Sequence, residues 1–464
     1  MRLVFKFGGT SLGDGERIRN ACNIVRTYHR RGDKIVVVCS AMGDTTDILL
    51  ELMESAARGE RGKLDDGLER LRSAHIAAVE YAVDGDGLRN EALTVIEKRL
   101  NDLTYILSSI YFLREVTPRS RDLVLSFGER LSTWTFTCTL RGLGIAAKYL
   151  EGGDAGIITD SDFGYATPLM EETLNNIKNT ILPLLSQGVV PVVTGFIGRT
   201  RDGAITTLGR GGSDFTATLL GSGIKADEVV LWSDVDGLLT ADPKIVRDAK
   251  VIPQLSYEEA LEMAVFGAKG LHPRAIEAAQ NGGVKIRIKN TFNPSAPGTL
   301  ITDRSLSTDS IVKGVLLVRD VAMITVKGAS AVGKPGSAAR ILQSISSRGI
   351  NVMMISQSVS ESSISLIVRR ESADLALEAI RESSPPGVIR GIECEKDVVV
   401  VAVVGEGMKG TPGVASRVFG AVARRGVNVR MIAQGSSELN ISFVVKEADG
   451  VEAVRAIHED YGLG

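Results

Sequence analysis

The chain has 464 residues, which at roughly 150 residues per domain is room for about three domains. With 44% hydrophobic and 24% charged residues it can bury a core, and 54 Lys+Arg against 56 Asp+Glu leave a net charge of −2 that argues against a nucleic-acid or anionic-membrane partner. The 50 glycines, against 13 prolines, point to tight turns and to close approach of the backbone to a ligand. Cys22, Cys39, Cys138 and Cys394 are scattered, with no C-x-x-C pair and no Cys/His cluster, and read as small buried hydrophobes of a reducing compartment. The opening MRLVFKFGGTS has no apolar signal core, and the longest apolar run, Val398–Val404, is too short to span a membrane, so a cytoplasmic chain is expected.

Short β-branched runs alternate with helical stretches in the first two thirds. In order, the pattern predicts a strand at Leu3–Phe7, a helix at Glu16–Arg31, a strand at Ile35–Cys39 and a helix at Asp47–Arg58. A largely helical stretch follows over 63–117, then helices at Glu129–Arg141 and Glu171–Ser186. A strand at Val189–Thr194, a helix at Phe215–Leu220, a strand at Glu228–Trp232 and a helix at Tyr257–Phe266 complete it. This alternation predicts an α/β domain over residues 1–305, with three αβα layers and a mainly parallel sheet. The Asn293–Gly298 stretch (NPSAPG) and the polar Thr302–Ser310 mark its end.

Beyond that boundary the sequence repeats. GKPGSAARILQSISSRGINVMMISQSVSESSISLIV, from Gly333, returns as GTPGVASRVFGAVARRGVNVRMIAQGSSELNISFVV from Gly410, an ungapped offset of 77 residues. Each copy reads strand, Pro-Gly turn, helix, strand, strand, helix, the start of a ferredoxin-like βαββαβ unit. The units are placed at 319–396 and 397–464. The first copy has a closing strand near Val388–Glu393, whereas the second ends without one. An unclaimed strand at Ile311–Val318 is expected to complete the second copy, which would put the first copy inside it and leave no bare sheet edge.

Two phosphate-binding patterns in the repeats are decoys. Gly328–Lys334 follows most of a Walker A loop, but Pro335 stands where the Mg²⁺-binding Ser/Thr would be. Gly405–Gly410 satisfies GxGxxG, but no acidic residue ends the next strand. The stronger candidates lie in the first domain. Lys6–Ser11 (KFGGTS) follows a strand with paired glycines, Gly8 and Gly9, and a lysine suited to a transferring phosphoryl group. Leu208–Asp214 (LGRGGSD) offers an arginine suited to a carboxylate and an aspartate suited to a metal or an ammonium. Trp232–Pro243 follows a strand end, the usual ligand position of such sheets. No histidine pairs with a plausible nucleophile, and His272 reads as structural.

KFGGTS, Ser40–Met42, Phe127–Arg130 (FGER), Gly209–Asp214, Trp232–Pro243 and Phe266–Pro273 (FGAKGLHP) occur in the order of the aspartate kinases, which this chain resembles over its whole length. The resemblance implies an amino-acid kinase domain followed by two ACT domains. It also implies ATP, with Mg²⁺, phosphorylating the side-chain carboxylate of L-aspartate. Carried over by motif position, Lys6 stabilises the transferring group and Gly8 and Gly9 line the phosphate path. Arg210 clamps the aspartate α-carboxylate, and Glu129 takes its α-ammonium. Ser40, Thr46 and Ser213 help to hold substrate, and Asp214 orients the lysine network or the metal. Ser233, Asp234, Lys244 and Lys269 face the nucleotide. Leu239 replaces a tyrosine of many relatives, which puts adenine contacts there in question. The chain ends before the point where a fused homoserine dehydrogenase would follow.

The ACT pair implies feedback control by an end-product amino acid, bound near Gly333, Gly336, Asn351, Val352 and Gln357, in a homodimer or larger homo-oligomer. Met353 stands where lysine-sensitive relatives tend to carry an aspartate, which favours threonine over lysine. A pair that only dimerises is the other reading. The rival functions are a glutamate-directed kinase, opposed by Glu129 within FGER and by the ACT pair, and a silent amino-acid sensor, opposed by intact Lys6, Arg210 and Asp214.

Overall fold

The computed structural model describes residues 1–268, 270–304, 311–327, 336–358, 363–383 and 389–464, the side chains of Ser337 and Ser383 excepted. Lys269, Gly333, the Gly328–Lys334 decoy and the start of the strand expected at Val388 lie outside the described residues. The chain packs as two units, and the division departs from a single cut at 305. Leu239–Ile252 and Glu262–Ala268 pack with the C-terminal unit.

The first unit begins β1 (Arg2–Phe7), α1 (Gly15–Arg30), β2 (Lys34–Cys39), α2 (Thr45–Arg58), α3 (Arg61–Ala82), α4 (Asp86–Leu113) and α5 (Pro118–Gly142). It continues β3 (Ala147–Leu150), β4 (Ile158–Thr159), α6 (Met170–Ser186), β5 (Val190–Thr194), β6 (Ile197–Thr200), β7 (Ile205–Thr207), α7 (Gly212–Ile224) and β8 (Glu228–Ser233). β9 (Gln254–Ser256), the start of α8 (Tyr257–Val265), α9 (Pro273–Gly282), β10 (Lys285–Asn290) and β11 (Thr299–Thr302) complete it. Local chemistry sets several ends. The Asp14 carboxylate accepts from the Arg17 N–H at 2.8 Å to start α1, Thr117 and Ser120 form a capping box ahead of Pro118, and left-handed Gly59 stops α2.

Eight strands form one sheet in the order β3-β5-β2-β1-β8-β10-β11-β9, parallel except for the β10–β11 pair. Strand alternation sorts the faces. Phe5, Phe7, Ile35, Val37 and Cys39 join Ile18, Cys22 and Val25 of α1 and Phe136 and Leu140 of α5 in one core. Residues of opposite parity on β1, Lys6 among them, point to the other face. The parallel sheet and helical layers expected from the alternation are present. β3, β4, β6, β7, β9, β10 and β11 went unread, being short or, in β10, alternating Ile with Lys and Arg.

The C-terminal unit contains β12 (Gly314–Lys327), α10 (Ser337–Ser346), β13 (Met354–Gln357), β14 (Ser363–Arg369) and α11 (Ala373–Ser383). β15 (Gly391–Val404), α12 (Val414–Arg424), β16 (Met431–Ala433), β17 (Asn440–Lys446) and α13 (Gly450–Asp460) follow. One antiparallel sheet runs β13-β14-β12-β15-β17-β16 and serves both repeats. β12 and β15 are each used twice. Val321–Lys327 pairs with β14, while Gly314–Val318 pairs with Val404–Val400, whose other side holds β17. The segment before the first copy thus lies in the sheet of the second copy.

Val398–Val404 is apolar without alternation because both faces are covered. Val399, Val401 and Val403 pack with Val414 and Val418 of α12 and Ala453 of α13. Val398, Val400 and Ala402 join Met323, Met354, Met431 and Val444, a core drawn from both repeats. Full burial of each such side chain contributes roughly 1.5–3 kcal/mol. Ala241, Ile245 and Val246 complete the helical-face core, and Val315 donates its N–H to Thr240 O at 2.8 Å. Replacing Leu316 by proline removes one backbone donor from the doubled strand. It is expected to accelerate amide exchange at Val400–Val404 while leaving exchange in β13 and β14 near the wild-type rate, read by hydrogen–deuterium exchange. Unchanged protection at Val400–Val404 would contradict the pairing's contribution.

Candidate active site

The C-terminal end of β1 is built for close approach. The Gly8 N–H donates to Trp232 O at 3.2 Å, so Gly8 tethers the turn to β8 and this N–H is engaged by protein. A Cβ on Gly9 would stand 3.2 Å from the carbonyl oxygens of Ala41 and Gly43, too tight for a side chain without movement of backbone. Ser11 is fully buried and shares a hydrogen bond of 2.7 Å with Thr291, fixing the far side of the turn.

Lys6 lies on the sheet face where α7 packs, and its Nζ meets the Asp214 carboxylate at 2.6 Å, with the two side chains only 15% and 12% exposed. The α7 helix was expected to begin at Phe215, but it begins at Gly212, which puts Ser213 and Asp214 in its first turn. An acidic residue there is favoured by the helix dipole. Gly211, at φ +72°, caps the helix in the left-handed region, and a Cβ on it would fall 2.2 Å from the His272 ring. Burial lowers the His272 pKa, and its Nδ1 meets no partner among the described residues; its ring fills the space over the glycine. That agrees with a structural histidine.

Glu129 lies in the middle of α5, where a helix start had been expected, and is 4% exposed. Gly128 lets the helix come against Ala41, since a Cβ there would lie 2.8 Å from the Ala41 Cβ. Burial pushes the Glu129 carboxyl up to about 8, against the opposing pull of the Ala41 N–H and of Lys6. Its Oε2 is buried without a partner, an acceptor with no donor to meet. Ser40 follows β2, donates its N–H to Phe7 O at 3.1 Å and accepts the Ser132 hydroxyl at 2.6 Å. Thr46 is half-buried in the first turn of α2.

The structure therefore gathers Lys6, Asp214, Glu129 and the Ser40–Ala41 backbone at one end of the sheet. Ser213 packs against Gly195, where a Cβ would lie 2.6 Å from its Oγ, and Arg210 is exposed. Ser233 and Asp234 follow β8, with the Ser233 hydroxyl donating to Asp234 at 3.2 Å. Lys244 belongs to the C-terminal unit and is exposed, its N–H bonded to Asp242 at 2.9 Å. Gly336 is left-handed ahead of α10, and Asn351 and Gln357 are exposed on either side of half-buried Val352.

Sequence reading missed the braces behind this site. His75 is fully buried and faces Thr45 Oγ1 at 3.4 Å. The Thr45 hydroxyl donates to Met42 O at 2.6 Å, so the imidazole supplies the N–H of the pair. Burial lowers His75 to about 4, which keeps it neutral. Asp122 accepts the N–H groups of Gly164 and Thr207 at 2.9 and 2.8 Å and the Thr207 hydroxyl at 2.8 Å. None of these contacts has a sequence spacing that would reveal it. Among the described residues no three His, Cys, Asp or Glu side chains cluster as a metal site, and no helix is long and apolar enough to cross a membrane.

The amino acid kinase family matches residues 1–290, and the ACT domain matches 324–383 and 401–461. Aspartokinase 1, chloroplastic, of Arabidopsis thaliana is 34% identical over 99% of the chain and 80% of its own length. Bifunctional aspartokinase/homoserine dehydrogenase 2, chloroplastic, of the same plant is also 34% identical, and the chain spans 51% of that longer relative. Among solved structures, E. coli aspartokinase III in complex with aspartate and ADP (R-state) superposes with a TM-score of 0.84 at 30% identity, over 99% of both chains. The same enzyme in complex with lysine and aspartate (T-state) gives 0.80 at 28% identity, again over 99% of each. Sequence motifs, the parallel sheet and the paired repeats agree with these matches, and the chain belongs to the amino acid kinase family, as an aspartokinase with two ACT domains.

Proposed function

We propose that this chain transfers the γ-phosphoryl group of ATP to the side-chain carboxylate of L-aspartate, giving 4-phospho-L-aspartate and ADP. This is the first step toward lysine, threonine and methionine. The observation that carries the reading is the Lys6–Asp214 pair at 2.6 Å beside buried Glu129, at the strand ends where such sheets bind ligands. A carboxylate acceptor is already a nucleophile, so the protein has to position it and neutralise charge on the phosphoryl oxygens. Lys6, held by Asp214, supplies that charge. Arg210 takes the aspartate α-carboxylate, Glu129 its α-ammonium, and Ser40, Thr46 and Ser213 line the substrate. Ser233 and Asp234 face the nucleotide, and Lys244 and Lys269 are assigned to it by motif position alone. Mg²⁺, arriving with ATP, would add charge neutralisation at the phosphoryl oxygens, and Asp214 is the carboxylate of this site that could orient it.

The C-terminal unit is assigned to feedback control by an amino acid. Gly336, Asn351, Val352 and Gln357 supply the effector region together with Gly333, and the sheet supplies a surface for self-association. Ile355 and Ile432, at equivalent positions of the two repeats, are 46% and 47% exposed on its edge strands. The four free cysteines suit the reducing cytoplasm.

Hydroxylamine trapping of acyl phosphate together with ADP release, with L-aspartate or L-glutamate and with or without lysine, threonine and methionine, tests the proposal. Turnover with aspartate alone, inhibited by one of the three, is expected; no turnover with aspartate at saturating Mg·ATP defeats the reading. Lys6→Met is expected to lower kcat by about 10²-fold or more in protein that still folds, with a melting temperature lowered by the Asp214 carboxylate left without its partner. Near-normal kcat would remove Lys6 from its role.

The Glu129 carboxyl gives a pH signature. With its value raised to about 8, the free protein holds a proton that an unfolded glutamate, near 4.5, has lost. The stability this contributes is complete below the unfolded value and is lost as pH rises through about 8. An α-ammonium beside Glu129 favours the carboxylate, so aspartate binding below that pH should release a proton and tighten as pH rises toward it. Calorimetry in buffers of different ionisation enthalpy reads the release. Glu129→Gln should abolish it, and equal proton release by that variant would assign the proton elsewhere.

A further inference from the structure

We infer that Arg274 is a positioning residue that sets the Gly209–Asp214 segment, a turn that runs into the first residues of α7, and with it the aspartate-binding arginine Arg210. The argument rests on the kinase reading above and on the placement of one guanidinium. Arg274 Nη1 donates to Leu208 O at 2.7 Å and Nη2 to Ala166 O at 3.2 Å. The same guanidinium stands 4.5 Å from the ring centroids of both Tyr165 and Phe215. Leu208 immediately precedes the loop and Phe215 immediately follows it, so a single side chain holds both of its ends.

The surrounding contacts make this a brace for that loop. Ala166 donates its N–H to Thr207 O at 2.9 Å, and Asp122 ties Gly164 and Thr207 from the α5 side. Asp122 and the strand therefore fix the segment up to Thr207, and Arg274 takes over at Leu208. Beyond it Gly209 and Gly211, both at positive φ, give the backbone no stiffness of their own. Arg210 between them is exposed and has no brace of its own among the ion pairs of the described residues. Asp214, by contrast, is held by the helix and by Lys6.

The geometry requires arginine. Two carbonyls and two ring faces are served together by a planar group with forked donors, whereas an ammonium, though it has three N–H donors, has no plane to lie against the rings. Arg274 is half-buried and forms no ion pair with any described carboxylate, so its donors are committed to the loop.

The test compares Arg274→Lys and Arg274→Ala with wild type in the acyl-phosphate assay, with melting temperatures as the control for folding. Both variants are expected to raise KM for aspartate by about tenfold or more, from displacement of Arg210, with KM for ATP within about twofold of wild type. Added guanidinium chloride, far below denaturing concentration, should restore KM for aspartate in Arg274→Ala, where the slot between the two rings is open, and ammonium chloride should not. A general structural role would lower kcat in proportion to folded enzyme and leave both KM values alone, and that outcome overturns the inference. So does an equal rise in both KM values, a failure of guanidinium chloride to restore KM for aspartate, or restoration by ammonium chloride as well. An inactive wild type would overturn the kinase reading instead, and with it the substrate assigned to the loop.

Discussion

An ammonium from the first strand and a carboxylate from the first turn of α7 meet at 2.6 Å, and the candidate site is arranged around that contact. Neither group is well hydrated, so each relies on the other for the solvation that water would have given. Keeping them together requires α7 to start at a fixed height above the sheet. The left-handed turn at Gly211 sets that height, and the His272 ring against it leaves no room for any side chain. Lys6 reaches the pair because strand alternation points it away from the Phe5–Phe7 core. The site is thus a consequence of register, since a shift of one residue in β1 would bury the lysine among α1 and α5.

Glu129 completes the charge pattern in the opposite manner. Lys6 and Asp214 pair their charges, whereas the Glu129 Oε2 is buried with neither a hydrogen-bond partner nor an ion pair among the described residues. A buried acceptor left without a donor is a standing cost, and a cationic ligand group would relieve it. The contrast suits a phosphotransferase, which needs a permanent positive centre at the phosphoryl group and a receptive anion for the acceptor's amine. Behind these residues, buried His75 under Thr45, buried Asp122 under Thr207 and half-buried Arg274 beside the glycine loop hold the backbone in place.

The two repeats are joined by shared strands as well as by sequence. β12 and β15 each run through both halves of one sheet, and the methionine-rich core beneath it draws on both copies. The second copy's part of that sheet includes Gly314–Val318, which precedes the first copy in the chain. Ala241, Ile245 and Val246, at and just beyond the end of the expected nucleotide motif Trp232–Pro243, are buried in the same C-terminal core. Their apolar side chains, rather than their place in the chain, decide where they pack.

Much of this was legible in the residues. Alternating strand and helix runs gave the kinase layers, the 77-residue offset gave the repeats, and KFGGTS, FGER and GRGGSD gave Lys6, Glu129 and Asp214. Such features are local or repetitive, so periodicity and motif spacing carry them. The short strands escaped because three or four residues hold too little pattern. The helix starts at Gly212 and Pro118 escaped because glycines and polar residues masked the turn. Arg274, Asp122 and His75 could not be read at all, since each acts on carbonyls, amides or hydroxyls that only folding brings within reach. The sequence by itself determined which chemical groups are available and the order of layers that carries them. The tertiary structure decided which groups lose their water and find partners, because desolvation and hydrogen-bond geometry depend on neighbours distant in the chain.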